Sequence, residues 1–178
     1  ITGDMVDGSA AVRPGMFDEL KKIKSKVYFV TGNHETYEDD LADVLKIISS
    51  SGVEILDNRV VEFKGVQIVG VSYNMKRGHL REELSKLNID KEKPAILMYH
   101  EPRDGAVAQD FGIDLMLSGH THDGQIDPFN LPVKAAYRHS RGLYELGAMR
   151  WYISPGTGTW GPPMRLGSKN TITLFELQ

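Results

Sequence analysis

Leu117-Ser118-Gly119-His120-Thr121-His122 closes a largely apolar run over residues 113–117, and the fold class follows from how that run ends. A short apolar run that stops at Ser-Gly is the signature of a buried strand entering a loop. Two histidines two residues apart follow at once. In extended backbone, residues i and i+2 share a face, so both imidazoles are expected to converge on one point. Neutral imidazole is the commonest side-chain metal ligand, and the carboxyl end of a strand in an open α/β sheet is where such sites form.

Moving outward, the same arrangement recurs. Residues 27–30 are a fully apolar strand ending at Thr31-Gly32-Asn33-His34-Glu35, and residues 95–99 are another, ending at His100-Glu101-Pro102. The chain opens on Ile1-Thr2-Gly3-Asp4, which reads as a strand end running into the loop Gly3-Asp4-Met5-Val6-Asp7-Gly8. Four strand ends therefore carry hard oxygen or imidazole donors: Asp4, Asn33 with His34, His100, and His120 with His122. Each has a plain structural alternative. Asp4 and Asp7 are good turn formers, Asn33 tolerates a left-handed loop, and His100 precedes a proline. Taken together at strand ends of one sheet, they are expected to face one crevice and hold metal.

Between these strands the pattern is helical. A helix is expected after Arg13-Pro14 with Met16, Phe17, Leu20 and Ile23 on its stripe, and another over residues 37–51 with Leu41, Val44, Leu45 and Ile48 inward and Gly52 as its cap. Alternating strands and helices favour parallel strands joined by crossovers. Residues 53–56, 60–63 and 66–71 read as short strands, the last two forming a hairpin at Lys64-Gly65. A short helix is expected over residues 80–87. Residues 126–141 read as irregular, and residues 143–146, 150–154 and 171–177 as antiparallel strands around the Gly- and Pro-rich loop 155–163.

Composition bounds the rest. A chain of 178 residues is read as one domain, large enough to bury about 70% of its unfolded surface. It contains no cysteine, which excludes disulfides and thiolate metal sites. Its net charge of −3, with scattered Lys and Arg, gives no electrostatic case for nucleic acid as a main partner. No apolar run reaches the roughly 20 residues of a membrane span.

Gly3-Asp4-x-x-Asp7, Gly32-Asn33-His34-Glu35, the lone His100 and Gly119-His120-Thr121-His122 resemble, in order, four of the five motifs of the calcineurin-like metallophosphoesterases. The stretch from Tyr152-Ile153-Ser154-Pro155-Gly156 to Trp160-Gly161-Pro162-Pro163-Met164-Arg165-Leu166 resembles a bacterial, often membrane-attached branch that includes lipid-precursor pyrophosphatases. The resemblance implies an α/β/β/α sandwich of two mixed sheets flanked by helices. It also implies a dinuclear centre of two divalent ions, with manganese, iron, zinc, magnesium and nickel all suited to the donors, and at least one ion expected here. In such enzymes a residue like Asp4 bridges the two metals, residues like Asn33, His100 and His120 complete one, and one like His122 serves the other. A histidine like His34 faces the phosphoryl group, held by a carboxylate like Asp7, and is catalytic without binding metal.

The implied reaction is hydrolysis of a phosphomonoester, phosphodiester or pyrophosphate, with a lipid-linked substrate among the candidates, by in-line attack of metal-bound hydroxide. The family's first motif, Asp-x-His, would lie before Ile1. The domain is therefore expected to be N-terminally incomplete, lacking its first strand and helix, with an exposed sheet edge open to self-association. For residues 1–178 alone, one tightly held metal without turnover is the expectation. The alternative is a non-catalytic protein-binding module on the same scaffold. Histidines and arginines at His79, Arg138, His139, Arg141 and Arg165 are candidates for phosphate contacts, with Tyr137, Trp160 and Met164 for an apolar entrance. Glu35 is expected to cap the turn after it. The compartment is left open, with membrane association of the parent protein a consequence of the branch resemblance.

Overall fold

The computed structural model describes residues 1–8 and 11–177. Among the described residues, eight strands form two sheets and four α-helices accompany them. The smaller pairs β1 (Val27–Phe29) with β2 (Val53–Ile55) in parallel. The larger contains β3 (Arg59–Phe63), β4 (Val66–Val71), β5 (Ala95–Tyr99), β6 (Leu115–Ser118), β7 (Gly142–Leu146) and β8 (Met149–Ile153), in the order β3-β4-β5-β6-β8-β7. Its four central strands are parallel and its edge strands antiparallel.

Strand alternation explains the layering, because successive side chains must face opposite sides. On β5, Ala95, Leu97 and Tyr99 join Val69 and Val71 of β4 beneath α2 (His79–Lys86) and α3 (Gly105–Asp110), where Leu80, Leu84 and Ala108 are fully buried. Met98 and Ile68 face the other way, meeting Val30, Tyr28 and Leu56 from the smaller sheet. On β1 itself, Phe29 faces away to pack with Val44 and Ile48 of α1 (Leu41–Ser50). The order of layers is thus helix, sheet, sheet, helix, with the smaller sheet wholly parallel rather than mixed.

Helix α1 starts at Leu41 rather than near residue 37, because Glu35–Tyr37 make a separate 3-10 turn and the Asp40 side chain accepts from the Asp43 N–H at 3.0 Å as N-cap. It stops at Gly52, whose φ of 85° is left-handed. The hairpin turn at Lys64 and Gly65 has φ values of 51° and 82°, the two left-handed residues a type I′ turn requires.

Other expectations are corrected. The segment after Pro14 forms only a 3-10 helix, Asp18–Lys22, with Met16 and Ile23 exposed and Phe17 and Leu20 alone turned inward. Helix α3 fills a stretch with no assigned element. Within residues 126–141 lies α4 (Asn130–Ala136), disguised by Pro132 in its first turn, a place where proline costs no hydrogen bond. Residues 171–177 form no strand; Ile172 and Leu174 are 90% and 86% exposed. Among the described residues, no helix is long and apolar enough to cross a membrane.

Candidate metal centre

Donors reach the centre from both sheets, so the crevice lies between two sheets rather than along one. Residue 1 runs beside β1, its N–H donating to the Tyr28 carbonyl at 2.7 Å and its carbonyl accepting from Val30 N–H at 3.2 Å. This places Gly3 and Asp4 next to Gly32 and Asn33, which follow β1. His100 follows β5, and His120 lies two residues past β6.

The sharpest feature is a knot of lone pairs. Asn33 Oδ1 lies 2.9 Å from His100 Nε2 and 2.7 Å from His120 Nδ1. Those two nitrogens are 3.2 Å apart, and Asp4 Oδ2 is 3.1 Å from His100 Nε2. Asp4 Oδ1 already accepts from the His34 N–H at 3.0 Å, whereas the buried Oδ2 has no hydrogen-bond partner. His100 Nδ1 is 2.6 Å from the Thr2 carbonyl, which can only accept, so Nδ1 carries a proton and Nε2 faces the knot. Donor atoms packed this tightly around one point suit a cation among them. The donor set of one carboxylate, one amide oxygen and two imidazoles fits a divalent cation without thiolate preference.

The titrations reflect the same crowding. Burial works to raise Asp4, but the His100 imidazole beside it keeps its carboxyl below the ordinary range. Burial works against protonated His100, yet the Asp4 carboxylate holds its pKa above the usual imidazole value. Burial, then the neighbouring His100, push His120 down to about 4. Burial likewise takes His122 down to about 4, leaving a neutral ring suited to a metal.

The backbone from His120 to His122 is not extended. His120 and His122 have φ values of 71° and 50°, and a 3-10 turn, His122–Gly124, begins where an extended chain was expected. Strand alternation no longer applies once the backbone turns left-handed. His120 therefore joins Asp4 and His100, while the buried His122 Nδ1 has no partner and lies outside that triad. His34 Nδ1 is 2.6 Å from the main-chain carbonyl of Asp7.

Two residues matter more than their sequence context indicates. Glu35 is fully buried and caps nothing after it. Its Oε2 accepts from Asp4 N–H at 3.0 Å and Gly32 N–H at 2.7 Å, and its Oε1 from Met5 N–H at 2.7 Å and Val6 N–H at 3.2 Å. One carboxylate thus clamps both loops that deliver Asp4 and Asn33. Burial still holds Glu35 above the ordinary carboxylate range. The loops approach so closely that a Cβ on Gly32 would sit 2.1 Å from Asp4 Oδ1. The second residue is Tyr37, whose hydroxyl accepts from Asn33 Nδ2 at 3.0 Å, turning the amide so that Oδ1 faces the knot. Tyr37 is 60% exposed, so Tyr37→Phe should fold normally and bind manganese about tenfold more weakly by calorimetry, the lower end for such supporting bonds.

The expected phosphate contacts mostly lie elsewhere. His79 is buried against the Ser72 carbonyl at 3.0 Å, and His139 packs on Tyr144 and Trp151. Arg141 pairs with Asp123 at 2.5 Å, Arg165 donates to the carbonyls of Pro155, Gly158 and His122, and Arg138 is exposed. Tyr137 and Trp160 do reach the centre, with ring centroids 5.7 Å from His120 and 6.3 Å from His34. Met164 is 51% exposed.

The sequence profile described as calcineurin-like phosphoesterase matches residues 1–124. An uncharacterized metallophosphoesterase of Helicobacter pylori is 35% identical over 99% of this chain and 50% of its own length. A transmembrane protein with metallophosphoesterase domain from Bos taurus is 33% identical over 100% of this chain and 45% of its own. An uncharacterized metallophosphoesterase of Aquifex aeolicus is 32% identical over 99% of this chain and 71% of its own. The chain spans about half the length of the first of these curated relatives. A matched profile over most of the chain, those relatives, and donors converging from both sheets of a four-layer sandwich all agree: the chain belongs to the calcineurin-like phosphoesterase family.

Proposed function

We propose that the protein hydrolyses a phosphate ester, whether a monoester, a diester or a pyrophosphate, with the help of divalent cations. The supporting observation is the convergence of Asp4, Asn33, His100 and His120 donor atoms beside His34, with Asp4 Oδ2 and His122 Nδ1 left unsatisfied. Asp4, Asn33, His100 and His120 would hold one ion, and Asp4 with His122 would contribute to a second. A bound divalent cation supplies positive charge that screens the phosphoryl oxygens and makes a water more acidic. His34 supplies the proton. With Nδ1–H donating to the Asp7 carbonyl, Nε2 is the nitrogen left to carry a proton to the leaving oxygen as its bond to phosphorus breaks. Asp4 Oδ1 accepts from the His34 N–H, which ties the acid's position to the Asp4 carboxylate.

In the full-length protein, hydrolysis of a chromogenic phosphodiester should be abolished by a chelator and restored by manganese. A metal-loaded protein that turns over no monoester, diester or pyrophosphate, yet binds a protein partner, would favour the non-catalytic scaffold instead.

A further inference from the structure

A cleft of about 620 Å³ opens directly off the metal centre, and its two walls differ in chemistry. Asn33, His34, His120 and His122 line one side. Ile126, Phe129, Pro132, Val133, Trp160 and Pro162 line the other. The apolar wall is built from α4 and the loop before it, together with the segment around Trp160, which the Gln125 side chain pins. Its Oε1 accepts from Trp160 N–H at 2.6 Å, and its Nε2 donates to the Trp160 carbonyl at 2.7 Å. Phe129 is nonetheless 62% exposed and Trp160 57% exposed, so a firmly held aromatic wall stands open to water beside the reacting centre.

Apolar surface of this kind beside a polar site marks the place where an uncharged part of a ligand is buried. We infer that the cleft takes an aliphatic ester group of the substrate, so that the protein acts on phosphate esters bearing a large apolar substituent; this rests on the hydrolytic reading above. Charge supports the choice. No lysine or arginine lines the cleft among the described residues. The nearby Arg141 is paired with Asp123, and Arg165 is spent on backbone carbonyls. A second phosphate or a polyanion has no partner there. A nucleobase is disfavoured too, because the one amide side chain on that wall, Gln125, already uses both ends on the Trp160 segment.

The test is calorimetric titration of the manganese-loaded full-length protein with methyl-, butyl- and octylphosphonate. Affinity should rise about three- to fourfold per added methylene, the value of burying that much apolar surface, making octylphosphonate at least a hundredfold tighter than methylphosphonate. Phe129→Ser and Val133→Asp, each checked for folding by circular dichroism, should cut that ratio below about tenfold. Equal affinity across the series, an undiminished ratio in both folded variants, or tighter binding of adenosine monophosphate than of octylphosphonate would overturn the assignment. Flat binding in a protein that hydrolyses a chromogenic diester sinks the cleft alone. A steep series in a protein that hydrolyses no ester sinks the hydrolytic reading and leaves the cleft standing.

Discussion

His34→Ala lowers turnover of a phosphate ester by about a hundred- to ten-thousand-fold, the range for removal of an acid–base group, while the metal content of the protein hardly changes. The two halves of this expectation have separate causes. His34 Nδ1 is committed to the Asp7 carbonyl at 2.6 Å, and the ring is absent from the triad of Asp4, His100 and His120, so no metal donor is lost with it. Its main-chain N–H, which supports Asp4 Oδ1 at 3.0 Å, survives the substitution. What disappears is the proton for the leaving oxygen. The loss should therefore be smaller for esters whose leaving group is a weak base and needs no proton. Metal analysis beside steady-state kinetics checks both halves, and loss of metal in the variant would mean that His34 is a ligand.

Glu35→Gln is the second large effect, and it acts without touching substrate. The glutamine keeps the size of the side chain but only one acceptor oxygen, so two of the N–H groups from Asp4, Met5, Val6 and Gly32 face an amide NH₂ instead. Each buried donor left unpaired costs about 1–3 kcal/mol, and bonds to a charged acceptor lie at the upper end. A total of about 3–5 kcal/mol is a large part of the 5–15 kcal/mol that holds a typical domain together. The melting temperature should fall by roughly 10 °C or more. Asp4 and Asn33 would lose their common anchor, and manganese affinity should drop about ten- to a hundredfold. A variant that melts within about 2 °C of the parent, and binds manganese equally well, would show that the clamp is dispensable.

Much of this was written in the order of residues. Apolar runs such as residues 95–99 identify themselves because a strand buried on both faces has no polar alternative. The donors that follow them, Asn33, His100 and His120, are placed together by that same topology. Glu35 was hidden because its task is tertiary: nothing adjacent to it indicates that the N–H groups of residues 4–6 arrive some 30 positions away. Residues 171–177 alternate like a strand, yet alternation reports only which side chains could share a face, not whether a partner edge exists. The backbone of His120-Thr121-His122 departs from an extended strand for a local reason. Positive φ at both histidines costs about 1–3 kcal/mol each and is sustained only by surroundings that over-determine it, such as Thr121 Oγ1 donating to the Ser140 carbonyl at 2.6 Å.

The convergence of four side chains on one cation is what everything else depends on, and anomalous diffraction from a manganese-soaked crystal tests it most directly. A strong peak enclosed by Asp4 Oδ2, Asn33 Oδ1, His100 Nε2 and His120 Nδ1 is the expected result. No peak among those atoms at saturating manganese, or a peak held by other residues, would contradict it.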